Sequence, residues 1–290
     1  METPHVFGKH EHLFGIHTDA RFGEDSAKAF PHRDTAVIML TAGMLSHVGP
    51  SRLHVSLAEA LKQDGISSFR FDLSGIGESL PIGGQGASIA RAIGEVQQAM
   101  DFLQAEYAYT RFLLFGLCSG ADDAVAAALQ DNRIVAVSAL DGCAYPTMKH
   151  FIRSSIQKYL PKVISPEKWI SLVRNWVGSE QAKVASMPFG SDIREFPARE
   201  QAERELLSLA NRGVSLQFLY TGGAIDDYSY ERQFHDMFPS LRQRREISVH
   251  YQPSWDHVAI LEEDRIELIA TLKRWFAEKV SKLQAEQLAV

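Results

Sequence analysis

The stretch Arg111-Phe112-Leu113-Leu114-Phe115-Gly116-Leu117-Cys118-Ser119-Gly120-Ala121 decides how the rest of this chain is read. Its first half is an apolar run of strand length, suited to a parallel strand covered on both faces. An alanine-rich segment with helical character follows over 121–129. Between the two stands Gly-x-Cys-x-Gly. A strand that reverses directly into a helix holds its central residue in a strained backbone conformation. Small residues two before and two after it avoid a clash between strand and helix. Gly116 and Gly120 meet both needs. Such a turn leaves the Cys118 side chain above the carboxyl edge of a sheet, where ligands bind in open α/β folds. It also aims a helix N-terminus at that side chain, which favours an anion there. A free cysteine is more commonly a small buried hydrophobe, so the context of the turn carries the reading.

Outward from this turn, strand and helix patterns alternate. Short apolar runs at 35–41, 66–73, 134–140, 215–220 and 246–251 read as strands. Leu53, Leu57, Ala58 and Leu61 recur at helical spacing between Pro50 and the stop Asp64-Gly65. Further helices are expected over 89–103, 228–237 and 262–282. This alternation predicts an α/β fold: a mostly parallel central sheet, right-handed crossovers and helices on both faces. Residues 6–17 are expected to form an antiparallel hairpin at one sheet edge. The rhythm breaks over about 144–210, which holds Pro161, Pro166, Trp169, Trp176, Pro188 and Pro197 and no convincing strand. That stretch is read as a helical cap insertion. The expectation is one domain over 1–290, with its core in 1–143 and 211–290. Trp169 and Trp176, two helical turns apart, can share a face as core packing or as a lid.

Composition narrows the function classes. The chain has 290 residues, 45% hydrophobic and 23% charged, enough to bury a sizeable core without a metal or disulfide staple. A net charge of −6 without a basic stripe argues against nucleic acid. The densest basic stretch, Arg242-Gln243-Arg244-Arg245, reads as a solvated loop. No apolar run reaches the roughly 20 residues of a membrane helix, and no secretory signal is visible. Cys118 and Cys143 are the only cysteines, too few for a secreted disulfide framework. A cytoplasmic location with reduced thiols is the expectation.

Two further positions complete a chemical pattern. Asp226 lies just past the strand at 215–220, in Gly222-Gly223-Ala224-Ile225-Asp226-Asp227. His257 lies past the last strand, in Ser254-Trp255-Asp256-His257. Alone, each reads as a cap or loop residue. The chain order nucleophile, acid, histidine gives them meaning together. Asp227, or Asp141 at the end of an earlier strand, could supply the acid instead. Ser119 is a rival nucleophile, but Leu117 would then stand two before it, where leucine is too large.

With Thr41-Ala42-Gly43-Met44 and Phe71-Asp72-Leu73-Ser74-Gly75-Ile76-Gly77-Glu78-Ser79, these residues resemble the α/β-hydrolase superfamily over nearly the whole chain outside the cap. Through Val48-Gly49-Pro50-Ser51-Arg52-Leu53 the chain is similar to the serine-aminopeptidase-like hydrolases, including those that accompany exosortase systems. The resemblance implies an oxyanion hole made by the backbone N–H groups of Met44 and Ser119. Three departures stand out: cysteine replaces the usual serine, Ala42-Gly43 replaces His-Gly, and the candidate acid follows Gly-Gly.

A thiol changes the expected reaction. Thiolate leaves more readily than alkoxide, so attack on a simple ester tends to reverse, while thiol–thioester exchange is nearly balanced. The residues therefore point to a Cys118–His257–Asp226 triad acting on thioesters or activated esters, the acyl group passing to water. Transfer to an alcohol or amine, from a small-molecule substrate that could be carrier-bound, is the alternative. A non-catalytic small-molecule-binding protein of the same fold is the other, and a partner of a larger biosynthetic assembly a third. Oligomeric state is not legible. No cofactor or metal is expected: His10, His12 and His17 lack partners to complete a ligand set and read as a solvated hairpin. Gly75-x-Gly77 lacks the third glycine of a dinucleotide turn and a phosphate-loop lysine. Asp72 is read as a brace for the turn after its strand. Cys143 reads as a packing residue or a lining thiol.

Overall fold

A computed structural model describes residues 1–20, 34–82, 88–151, 153, 196–224 and 227–288. Eight strands form one sheet in the spatial order β1-β2-β4-β3-β5-β6-β7-β8. They are β1 Glu2–Phe7, β2 Leu13–Thr18, β3 Thr35–Leu40, β4 Ser67–Phe71, β5 Arg111–Leu117, β6 Ile134–Leu140, β7 Ser215–Thr221 and β8 Ile247–Gln252. From β4 through β3 to β8 every neighbouring pair is parallel. The first two strands are an antiparallel hairpin joined to β4. The α/β architecture expected from the alternating patterns is thus the observed one.

Why these segments are strands follows from their burial. All six residues of β3 and all seven of β7 are buried, as befits parallel strands with helices on both sides. Side chains alternate between the faces. Ala36, Ile38 and Leu40 of β3 join one core cluster, while Val37 and Met39 join the other. The first cluster is covered by α2 Ser88–Tyr107, α3 Ser119–Gln130 and α4 Arg199–Asn211. Helix α3 contributes Ala121, Ala124, Ala127 and Ala128, whose small side chains let it lie close to the sheet. The second cluster is covered by α1 Leu53–Gln63, through Leu53, Leu57, Ala58 and Leu61. Opposite them stand Leu268, Leu272, Trp275 and Phe276 of α6 Glu262–Leu288.

Some local expectations change. The helix expected over 228–237 is helical only as α5 Gln233–Met237. The preceding residues are held by side chains instead: the Gln233 amide accepts from the Ser229 N–H, and the Tyr228 hydroxyl accepts from the Phe234 N–H. The hairpin is present, but only β1 is an edge. His12, in the turn before β2, and His17, on β2 against Tyr107 and Tyr109, are buried, not solvated. Helix α4 carries Ala202, Leu206 and Leu209 into the first core cluster, on the crossover between β6 and β7. Most of the stretch read as a cap, including Trp169 and Trp176, lies outside the described residues.

The turn from β5 into α3 is one of the tightest points of the fold. A Cβ on Gly116 would sit 2.1 Å from the Gly120 carbonyl oxygen, and one on Gly120 would sit 2.5 Å from the Thr41 carbonyl oxygen. Neither backbone oxygen can give way easily. Gly116→Ala should therefore cost about 3 kcal/mol or more in urea denaturation, the high end of overpacking. Gly94→Ala, on a helix where a Cβ meets nothing within 4 Å, should gain about 0.5–1 kcal/mol. Equal midpoints for the two variants would contradict this account of the turn.

Candidate active site

Cys118 stands at the N-terminus of α3 with φ 54° and ψ −119°, a conformation that side-chain-bearing residues rarely adopt. Its N–H donates to the Leu140 carbonyl at 2.8 Å, which ties the turn to β6. The residue is half-buried, so its sulfur is neither sealed in the core nor fully in water. It lines a cavity of about 240 Å³ together with Asp141, Gly142, Tyr220, Asp227, Tyr228 and His257. A larger cleft of about 640 Å³ lies by the opposite ends of β6 and β7, around Ile134 and Ser215, and holds none of the candidate residues. Chemistry, not size, selects the smaller one.

His257 reaches this cavity on the loop after β8. Trp255, buried in the second core cluster and bonded through Nε1 to Glu267 at 3.0 Å, anchors that loop. The Asp256 carboxylate accepts from the N–H groups of Val258 and Ile260 at 2.9 and 2.8 Å and turns the chain just beyond. The loop sits down on the Gly222-Gly223 turn. A Cβ on Gly222 would lie 2.0 Å from the Pro253 carbonyl oxygen, and one on Gly223 would lie 2.2 Å from the His257 nitrogen. The two glycines are thus required by the histidine loop.

The carboxylate partner of His257 is Asp141. Its Oδ2 lies 2.8 Å from His257 Nδ1. Asp141 is 2% exposed and has φ 48°, at the end of β6. The Thr221 N–H donates to Oδ1 at 2.8 Å and the Thr221 hydroxyl to Oδ2 at 2.6 Å. Three donors converge on one carboxyl group. Asp141 and Asp227 were the two alternatives to Asp226 as the acid; Asp226 lies outside the described residues, and Asp227 lines the cavity. Thr221 was not singled out beforehand. Its signal was a hydroxyl at the last position of the strand, just before the glycine pair.

The imidazole is hydrogen-bonded to Asp141 and lines the same cavity as the Cys118 thiol, the first and second influences on its protonation. Together they raise His257 from 6.5 to about 10, against desolvation, which lowers it. Both partners stabilise the protonated ring.

The loop after β3 closes the other side of the turn. The Gly43 N–H donates to Ser119 Oγ at 2.8 Å, fastening the loop to the first residue of α3. Ser119 Oγ is therefore engaged as a staple. Met44 follows on the same loop and is exposed. Farther along, His47 is held twice by the fully buried Asp72, through its backbone N–H and through Nδ1 at 2.8 Å. The Asp72 carboxylate also accepts from the Glu78 N–H at 3.0 Å. The brace expected of Asp72 thus spans two loops. His47 was missed because nothing in its sequence context separates it from a surface histidine.

An eight-stranded, mostly parallel sheet with a strained strand–helix turn and a histidine loop beyond its last strand defines the α/β-hydrolase fold. The chain belongs to the serine aminopeptidase, S33, family, whose pattern matches residues 32–206, more than half of its length. Solved structures agree on the fold. Esterase Pf2001 of Pyrococcus furiosus superposes with a TM-score of 0.56 at 13% identity, over 96% of this chain and 90% of that one. Naproxen esterase (carboxylesterase NP) of Bacillus subtilis gives 0.55 at 13% identity, over 95% and 91%. A lidless α/β serine hydrolase of Xanthomonas campestris gives 0.52 at 15% identity, over 94% and 92%. No curated protein sequence matches this chain at a significant level. Among the described residues no helix is long and apolar enough to cross a membrane.

The raised value of His257 fixes a sign. A group whose protonation is favoured by folding contributes stability in full below its ordinary 6.5 and loses it as pH rises through about 10. The thermal-stability advantage of wild type over His257→Gln should thus be largest near pH 6 and vanish above about pH 10. An NMR titration of the His257 ring should show its midpoint near 10; a midpoint near 6.5 would contradict the assignment.

Proposed function

We propose that this chain is a thiol-dependent hydrolase, cleaving thioesters or activated esters through an acyl-cysteine on Cys118. One observation carries the reading: a single imidazole is hydrogen-bonded to a buried carboxylate and lines the same cavity as a thiol at a strained helix N-terminus, which acts on its protonation. Membership of a hydrolase family and likeness to esterase structures support it at the level of the fold.

The roles follow from the geometry. Cys118 is the nucleophile and His257 holds the proton that the thiol gives up. Asp141 orients the imidazole and balances its charge, the part that sequence order first suggested for Asp226. The Ser119 N–H, at the first position of α3, has no acceptor within its own helix. With the Met44 N–H it is assigned to the oxyanion, and the Gly43–Ser119 bond keeps the two loops in register. In the first half-reaction Cys118 Sγ attacks the acyl carbon and the leaving thiol takes the proton from His257. In the second, His257 takes a proton from water as the hydroxyl adds, and the acyl–sulfur bond breaks to release the acid. The sum is thioester plus water giving carboxylic acid plus thiol. Asp227, farther along the cavity wall, faces substrate in this scheme and does not orient the base.

Intact mass after mixing with an acyl-thioester should show one acyl adduct on wild type, trapped best in a short quench, and none on Cys118→Ala. Asp141→Asn should lower kcat about a thousandfold or more, the scale seen when the orienting carboxylate of such a row is removed. Asp226→Asn should stay close to wild type. Turnover that survives Cys118→Ala would end the proposal, and an effect at Asp226 without one at Asp141 would reassign the acid.

A further inference from the structure

The cleft of about 640 Å³ at the far edge of the sheet has a chemistry of its own. It lies where β6 and β7 begin, with the last turns of α6 running past them. Strand β6 is seven residues long. At about 3.3 Å per residue, roughly 20 Å of sheet separates this cleft from the Asp141 end of the same strand. One small molecule cannot touch both.

Three cationic side chains line the cleft: Arg212, just after α4, and Lys279 and Lys282 on α6. No carboxylate lines it among the described residues, although the chain as a whole carries a net charge of −6. The two lysines stand three apart, so they share one face of the helix, where like charges repel. Arg212 donates to the carbonyl oxygens of Ala128 at 2.9 Å and Asp131 at 3.4 Å. These neutral acceptors fix the guanidinium in place and leave its charge unbalanced. The Asp131 carboxylate is itself held by Arg133 at both oxygens, at 3.1 and 2.8 Å. The Lys279 side chain is 18% exposed, and its ammonium lies 5.6 Å from the centroid of the Trp275 ring. It also meets Glu278 at 2.8 Å, but that carboxylate is 69% exposed, and such a pair contributes little in water. Arg111 donates from Nη1 to the Leu283 carbonyl at 3.3 Å, which ties this end of α6 to the start of β5. The rest of the wall is apolar in part, with Val214 buried and Val135 and Leu283 half-buried.

We propose that this cleft binds a small phosphomonoester, its phosphate among Arg212, Lys279 and Lys282 and its apolar body against Val135, Val214 and Leu283. A phosphate ester carries about −1.5 to −2 charges at neutral pH and three strong acceptor oxygens. That matches three cations better than a carboxylate with one charge does. The planar fork of arginine suits phosphate oxygens, and lysine supplies point charge. The volume falls within the roughly 300–1,000 Å³ of small-molecule sites. The inference is independent of the acyl-cysteine reading, since no residue of that site takes part.

Calorimetric titration of the full chain at low salt, with phenyl phosphate, inorganic phosphate and benzoate as probes, tests it. Phenyl phosphate should bind one to one and raise the melting temperature. Inorganic phosphate lacks the apolar body and benzoate the second charge, so each should bind about tenfold more weakly or less tightly still. Lys279→Gln and Lys282→Gln, both near the end of a surface helix, should each weaken phenyl phosphate by about tenfold, the scale of one charge-assisted contact. Lys62→Gln, on α1, should leave the affinity unchanged. Absence of saturable binding at millimolar phenyl phosphate would overturn the site. So would equal affinity in wild type and both cleft variants, and so would benzoate binding as tightly as phenyl phosphate. Inorganic phosphate binding as tightly as phenyl phosphate would overturn the choice of an ester.

Discussion

The carboxyl edge of this sheet depends on the contact between two backbones, at Gly116 and Gly120. Their missing side chains let β5 turn into α3 with no intervening loop, and they let the end of β3 lie against the same helix. Cys118 bears the consequence as a left-handed φ, a conformation that costs on the order of 1–3 kcal/mol and persists only where its surroundings over-determine it. They do so here through the bond from Cys118 to Leu140 and through α3, whose alanine face is buried on the sheet. The strain places a sulfur at the rim and aims a helix N-terminus at it, so that what the fold spends in backbone conformation returns as electrostatics.

Around that turn, loops are fastened by one recurring device. An aspartate at or near a strand end accepts hydrogen bonds from N–H groups of a neighbouring loop. Asp72 holds the loop after β3 to the turn after β4, Asp141 holds the end of β7 and the imidazole, and Asp256 shapes the chain beyond His257. Buried donors without acceptors cost about 1–3 kcal/mol each. Each of these carboxylates therefore sets loop position with more authority than apolar contacts alone would give. The two most buried, Asp72 and Asp141, flank the candidate oxyanion loop and the histidine respectively.

How far the sequence spoke can be judged residue by residue. The sheet was legible because parallel strands are short, apolar and bounded by glycine or aspartate, and the helices because their apolar positions repeat at helical spacing. The turn at Cys118 was legible because its steric needs admit few residues. His17 was misread because alternation along a strand does not tell an edge from an interior position; the pairing of β2 with β4 decides that. The segment before α5 was read as helix, yet it holds Tyr228 stacked on Tyr220 with ring centroids 3.8 Å apart, a long-range contact that local pattern does not show. The acid was ambiguous for a plainer reason. Asp141 and Asp226 both follow strands, and spacing along the chain carries no information on which strand end the imidazole meets.

That meeting is set by the pair of glycines after β7. In the linear reading Gly222-Gly223 marked the approach to Asp226; in three dimensions it is the seat of the histidine loop, close enough that a single methyl group at either position would strike backbone. A loop seated so deeply carries its imidazole across the end of β7 toward β6, the strand that lies directly beside β5. There Asp141 waits with Thr221 donating to both of its oxygens. The carboxylate that His257 meets and the depth of the loop are then one constraint. Side chains at 222 or 223 would strike the backbone of the histidine loop, whose imidazole meets Asp141. The glycine pair that departs from the family pattern and the carboxylate on the earlier strand are two sides of the same packing solution.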